Sequence, residues 1–297
     1  MKTKTIQGTG VALITPFHKY GTVDFSALSK LVRHTLEGGA DFLVALGTTS
    51  EAPVLSADEK NAVLNHIIEE TEAKVPLIAG IGGNNTQQLV DTIRSMDFEG
   101  ISGLLSVAPY YNKPRQKGLY FHFKSIAAVS PVPVILYNVP GRTASNISAE
   151  TCLRLAREFD NIIGVKEASG NLNQVMRIIR DKPEGFSVLS GDDVLTYPLM
   201  ALGASGVISV VANALPAAFS KMVNFMLNGK YAEAAPIHYS LLEIMDALFE
   251  DGNPAGIKAA LDHMGIIKNN LRLPLVKANK GTYNKIARLI NELPGNI

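Results

Sequence analysis

Apolar residues along this chain fall in short, nearly unbroken runs, separated by longer stretches with helical spacing. The runs are Val11–Pro16, Phe42–Gly47, Leu77–Gly82, Gly103–Pro109, Val134–Val139, Ile162–Glu167, Ser187–Ser190 and Gly206–Val211. A strand with one wet face alternates polar and apolar residues. These runs do not, so they read as strands buried on both faces, as in a parallel sheet. Their starts lie about 19 to 35 residues apart, room for one crossover helix each. The intervening segments supply the helices. Phe25, Leu28, Leu31, Val32 and Leu36 share one helical face. Ser56-Ala57-Asp58-Glu59 forms a capping box ahead of Val63, Leu64, Ile67 and Ile68, and Ser148 with Glu150 opens a helix carrying Cys152, Leu153, Leu155, Ala156 and Phe159.

Eight such strands alternating with helices predict an α/β fold, a (β/α)8 TIM barrel. A doubly wound sheet is the structural alternative, but it wants a glycine-rich phosphate turn after the first strand. Here that turn is Thr15-Pro16-Phe17-His18. After about residue 225 no further strand pattern appears. Tyr231–Phe249, Pro254–Met264 and Thr282–Leu293 read as helices, with Asn228-Gly229 as the boundary. The expected organisation is a catalytic barrel over residues 1–228 and a C-terminal helical segment over 229–297.

Composition narrows the class. Lys plus Arg is 28 and Asp plus Glu is 27 in 297 residues, so no basic field is available for nucleic acid. Cys152 is the one cysteine, which excludes an internal disulfide framework. The apolar stretch Val207–Phe219 is broken by Ser209, Asn213 and Pro216, which argues against a membrane span. The N-terminal stretch Met1–Gln7 carries two lysines, and the apolar run after it is too short for a signal peptide. A soluble cytoplasmic protein is expected. Zinc-ligand spacings, a Walker loop, a complete G-x-G-x-x-G and a G-x-S-x-G elbow are all missing, so the sequence carries none of these metal, nucleotide or nucleophile signatures.

In a barrel, reacting groups belong at the carboxyl ends of strands. Those ends carry Thr48 and Thr49, Tyr110 and Tyr111, Tyr137 with Arg142, Lys166, Gly191 and Ile208. Lys166 closes a buried run, where an ammonium is costly; desolvation favours the neutral amine, which attacks carbonyls to form a Schiff base. The plainer alternative is a salt bridge to Glu167, although neighbours on a strand point to opposite faces. Tyr137 can shuttle protons through nearby hydroxyls such as those of Thr48 and Thr49, or it can be a core aromatic. Arg142, on a glycine turn, suits bidentate grip of a carboxylate or a surface ion pair. Taken together, an amine, a phenol and a carboxylate clamp point to Schiff-base chemistry on an oxo acid.

Five ordered motifs carry a family likeness: Gly47-Thr48-Thr49-Ser50-Glu51, Ala108-Pro109-Tyr110-Tyr111-Asn112-Lys113-Pro114, Tyr137-Asn138-Val139-Pro140-Gly141-Arg142-Thr143, Gly164-Val165-Lys166-Glu167-Ala168-Ser169-Gly170 and Leu189-Ser190-Gly191-Asp192-Asp193. The chain resembles, over nearly all its length, the pyruvate-dependent class I aldolases of the dihydrodipicolinate synthase and N-acetylneuraminate lyase group. The Tyr137–Thr143 motif is similar to the dihydrodipicolinate synthase branch. The resemblance implies that Lys166 binds pyruvate as an imine, that the derived enamine adds to L-aspartate semialdehyde, and that no metal or organic cofactor takes part. It implies that Tyr137 relays protons through Thr48 and Tyr111, with Tyr111 supplied by a neighbouring subunit of a homotetramer, a dimer of dimers. Thr49 would hold the pyruvate carboxylate, Arg142 the carboxylate of the semialdehyde, and Gly191 and Ile208 backbone positions near the lysine.

Two departures from the family pattern stand out. Ser50 replaces a glycine, which would suit a tight or positive-φ turn. At the effector site that lysine-inhibited relatives use, Asn84 and Tyr110 match, but Gln88 stands at the acidic position, and Ala57 and Lys60 stand at the histidine positions. The expectation is weak or absent feedback by lysine. The rival readings are another aldolase of the group, such as N-acetylneuraminate lyase or a 2-keto-3-deoxy sugar acid aldolase, and a catalytically idle binding barrel.

Overall fold

The computed structural model describes residues 6–293; the N-terminal lysines Lys2 and Lys4 lie outside the described residues. Eight parallel strands run in chain order around a closed barrel. They are β1 (Gly8–Ala12), β2 (Phe42–Ala45), β3 (Leu77–Ile81), β4 (Gly103–Val107), β5 (Val134–Asn138), β6 (Ile162–Glu167), β7 (Ser187–Ser190) and β8 (Gly206–Ser209). The helices are α1 (Phe25–Glu37), α2 (Ala57–Thr71), α3 (Thr86–Ser95), α4 (Gln116–Val129), α5 (Pro140–Thr143), α6 (Ala149–Glu158), α7 (Leu172–Asp181), α8 (Thr196–Ala201), α9 (Pro216–Leu227), α10 (Tyr231–Ala247), α11 (Ala255–His263) and α12 (Lys280–Glu292). After β8 the described chain holds helices only.

Two strands fall where the apolar runs put them, β6 and β7. The others end one or more residues earlier than expected, and β1 is displaced, beginning at Gly8 rather than Val11. The cause is packing. A Cβ on Gly10 would lie 2.1 Å from the Phe42 ring of the adjacent strand, so glycine is the residue that lets β1 pair there. The capping box at Ser56 forms in both directions, and Ser148 caps α6 through the Thr151 amide.

The chain divides into two compact units, each described by itself. The first holds Leu77–Ile208 with Ile6 and Gln7. Its strands β3 to β7 pair in sequence order in parallel register. A bulge at Ile163 shifts the β5–β6 register, after which Tyr137 faces Lys166 and Asn138 faces Glu167. Gly164 follows the bulge because a Cβ there would stand 2.8 Å from the Ser187 carbonyl oxygen. The second unit holds Gly8–Pro76 and the described residues from Ser209 onward. In it, α9 packs on β1 and α1, α10 packs on α9, and α12 packs on α10 and α11. Asn213, fully buried after β8, donates to the Ala12 carbonyl and accepts from the Ile14 amide, which ties down the chain leaving β1.

Candidate active site

Lys166 and Tyr137 come together at the carboxyl end of the first unit's sheet. Both are buried and lie opposite one another in register, with the Lys166 Nζ 4.5 Å from the Tyr137 ring centroid. The negative face of that ring would attract the lysine in its ammonium form. Among the described residues Lys166 has no salt-bridge partner, so the pairing with Glu167 that the sequence left open does not form. Glu167 instead points to the other face of the strand, where Asn138, Gln174 and the Ser169 amide bind it.

Gly191 sits against the lysine stem. A Cβ there would lie 2.7 Å from Ala168 Cβ, 3.0 Å from Lys166 Cε and 3.1 Å from Lys166 Cγ. Its amide donates to the Glu167 carbonyl at 2.8 Å, extending the β6–β7 ladder past the strand end. Ile208, 1% exposed, lies one step beyond the Ser190–Val207 pair on β8. Neither glycine nor isoleucine presents a reactive side chain.

Arg142 stands in a one-turn helix rather than the glycine turn expected from Pro140-Gly141. A side chain on Gly141 would meet nothing within 4 Å, so that glycine is not demanded by space. Thr143 Oγ1 donates toward the Val139 and Ser145 carbonyls, and Ala144 (φ 55°) ends the turn. Arg142 is exposed and has no ion-pair partner among the described residues, so the surface-pair alternative is not realised. Tyr111 (φ 75°) is 82% exposed, and Tyr110 accepts the Asn84 amide on its carbonyl at 3.3 Å. Gln88 is exposed in the first turn of α3.

In the second unit, Thr48, Thr49 and Ser50 form a short 3₁₀ turn after β2. Thr49 is 2% exposed, and its Oγ1 accepts from Asn253 Nδ2 at 3.0 Å. Ser50 does not carry the positive φ expected of the family glycine. The left-handed residues are Leu46 (φ 56°) and Glu51 (φ 57°), and Ser50 Oγ donates back to the Gly47 carbonyl at 2.8 Å. The serine therefore fits the turn. Sequence reasoning missed Asn253, Glu51 and Lys258. Lys258 is fully buried and donates to Glu51 Oε1 and, at 2.9 Å, to the Asn270 carbonyl. Only Glu51 lay within a recognised motif.

No group of three or more metal-ligating side chains occurs among the described residues. No described helix is long and apolar enough to cross a membrane.

Residues 5–293 match the dihydrodipicolinate synthetase family. The chain belongs to that family. A 4-hydroxy-tetrahydrodipicolinate synthase of Parabacteroides distasonis is 51% identical over 288 residues, covering 97% of each chain. The crystal structure of a dihydrodipicolinate synthase from Thermotoga maritima superposes with a TM-score of 0.94 at 37% identity, covering 97% of this chain and 98% of that one. A monomeric dihydrodipicolinate synthase variant gives a TM-score of 0.95 at 38% identity, covering 97% of each.

Proposed function

We propose that this chain condenses pyruvate with L-aspartate semialdehyde to 4-hydroxy-tetrahydrodipicolinate, in lysine and diaminopimelate synthesis. The observation that carries the reading is Lys166, a buried amine with no ion partner among the described residues, set 4.5 Å from the Tyr137 ring. Its Nζ attacks C2 of pyruvate; loss of water gives an iminium, and loss of a methyl proton gives the enamine. The enamine carbon bonds to the aldehyde carbon of the semialdehyde. The semialdehyde's own amine then attacks the imine carbon, displaces Lys166 and closes the ring. One water leaves over the whole cycle, and no oxidant or cofactor is needed.

Tyr137 carries the protons of these steps, with Thr48 and Tyr111 as relay hydroxyls. Thr49 holds the pyruvate carboxylate, Arg142 that of the semialdehyde, and Gly191 and Ile208 supply backbone around the lysine. The exposure of Tyr111 supports its use by a neighbouring copy in a homotetramer, while the monomeric variant among the related structures marks assembly as variable within this fold. The protein acts in the cytoplasm. The uncharged Gln88 supports weak or absent feedback by lysine. Arg142 favours this condensation over sugar-acid cleavage, whose substrates need groups that read hydroxyls.

A steady-state assay tests the reading. Turnover is expected with pyruvate and the semialdehyde, without cleavage of N-acetylneuraminate, and unchanged by submillimolar lysine. Arg142→Ala should lower kcat/KM for the semialdehyde by about 10- to 100-fold, the worth of a charge-assisted hydrogen bond. Normal turnover of that variant removes the clamp role, and strong lysine inhibition removes the regulatory expectation.

A further inference from the structure

Behind the lysine, on the opposite face of β6, lies a carboxylate that the reaction above does not use. Glu167 is 2% exposed and has no cationic partner among the described residues. Its Oε1 accepts from the Ser169 amide at 2.8 Å and from Asn138 Nδ2 at 3.1 Å; its Oε2 accepts from Asn138 Nδ2 at 3.1 Å and from Gln174 Nε2 at 3.0 Å. Asn146 completes the cluster. Its Oδ1 accepts from Asn138 at 2.8 Å and Gln174 at 3.2 Å, and its Nδ2 donates to Gln174 Oε1 at 2.8 Å. Asn138 Oδ1 in turn accepts the Ile147 amide at 2.9 Å. Every polar atom of the four side chains is therefore used.

The placement of this cluster is specific. Asn138 and Glu167 are register partners, one step past the Tyr137–Lys166 pair. Asn146 and Ile147 close the loop that carries Arg142, and Gln174 lies in the first turn of α7. The carboxylate thus joins the strand end bearing the phenol, the strand end bearing the amine and the base of the Arg142 loop. All its donors are neutral amides, and only an acceptor with two equivalent oxygens can satisfy them together. A glutamine in its place would turn an NH₂ toward one of those donors.

We propose that Glu167 is a positioning residue for the condensation, its amide-clasped carboxylate fixing the Tyr137–Lys166 pair and the Arg142 loop in one arrangement. The proposal rests on the roles given to Lys166 and Arg142 above. Glu167→Gln, assayed well below its melting temperature, should lower kcat and the rate of borohydride trapping of pyruvate together by about tenfold or more, as expected for a misplaced reacting group. It should also raise KM for the semialdehyde. The double variant Asn138→Asp/Glu167→Gln returns the carboxylate to the opposite side of the same register pair. It should recover the trapping rate to within about threefold of the parent, a coupling that two independent losses would not show. If Glu167→Gln does not accumulate as folded protein, Gln174→Met, which removes one donor, carries the same test. Parent-like kcat and trapping in the single variants, or no recovery in the double, overturns the proposal. Failure of the parent itself to trap pyruvate would instead overturn the functional reading.

Discussion

The sharpest energetic prediction concerns Lys258, an ammonium with zero side-chain exposure. It donates to Glu51 and to the Asn270 carbonyl and stands 4.2 Å from the Phe17 ring centroid. Burial pulls its pKa down to about 8, against the pull of Glu51, which raises it. Glu51 is itself buried at φ 57°, and its second oxygen accepts the Arg272 amide at 3.0 Å. Lys258→Met keeps most of the stem and removes the charge, leaving Glu51 with that single hydrogen bond and the Arg272 guanidinium as its remaining cation. Breaking one side of a buried pair costs about 3–5 kcal/mol, a large share of the roughly 5–15 kcal/mol that holds a domain together. The expected result is a fall in melting temperature on the order of 10 °C, with a matching drop in the urea midpoint. The pair Glu51→Gln/Lys258→Met removes both charges and should regain more than half of the loss. A single variant within about 1 kcal/mol of the parent would refute the reasoning, since no uncompensated charge would then have been created. A double variant no better than the single would place the cost in packing instead.

Two further outcomes follow from the same geometry. Gly191→Ala brings a methyl to within 3.0 Å of Lys166 Cε, and should cost about 1–3 kcal/mol of stability and slow pyruvate trapping by roughly 10- to 100-fold; unchanged trapping, read by intact mass, would mean the lysine stem moves aside freely. His122 is buried, with Nδ1 bonded to Thr86 Oγ1 at 2.8 Å, and burial lowers its pKa from 6.5 to about 4. The unfolded chain therefore takes this proton first. Stability is full above pH 6.5 and falls as the pH drops toward 4, by up to about 3 kcal/mol. Urea midpoints across that range should flatten in His122→Gln, and an identical pH slope in the variant would contradict the assignment.

Much of the fold is legible in the apolar pattern because barrel strands are buried on both faces. β6 and β7 begin and end where their runs do, and Ser56 and Ser148 cap the helices their side chains suggest. β1 is not legible to the same degree. Gly8 and Gly10 fall outside the apolar run Val11–Pro16, yet Gly10 is strand because the Phe42 ring fills its place. Lys166, Tyr137 and Arg142 are legible in the sequence as candidates at strand ends. What surrounds them is not. Lys258 and Glu51 are 207 residues apart in sequence, and a lysine within a helical pattern carries no local sign that its ammonium will be buried. Strand alternation already argues in the sequence that Glu167 does not pair with the lysine, but nothing there shows that Asn138 and Gln174 clasp it on the other face. Ser50 looked like a strained substitute for glycine, and the strain lies one residue on, at Glu51.

The central claim is that Lys166 forms the Schiff base. Borohydride reduction in the presence of pyruvate tests it most directly. The account predicts one pyruvate-derived mass increment per chain, located on the peptide containing Lys166 and absent from Lys166→Ala. An unmodified protein, or an adduct that persists in Lys166→Ala, would contradict it.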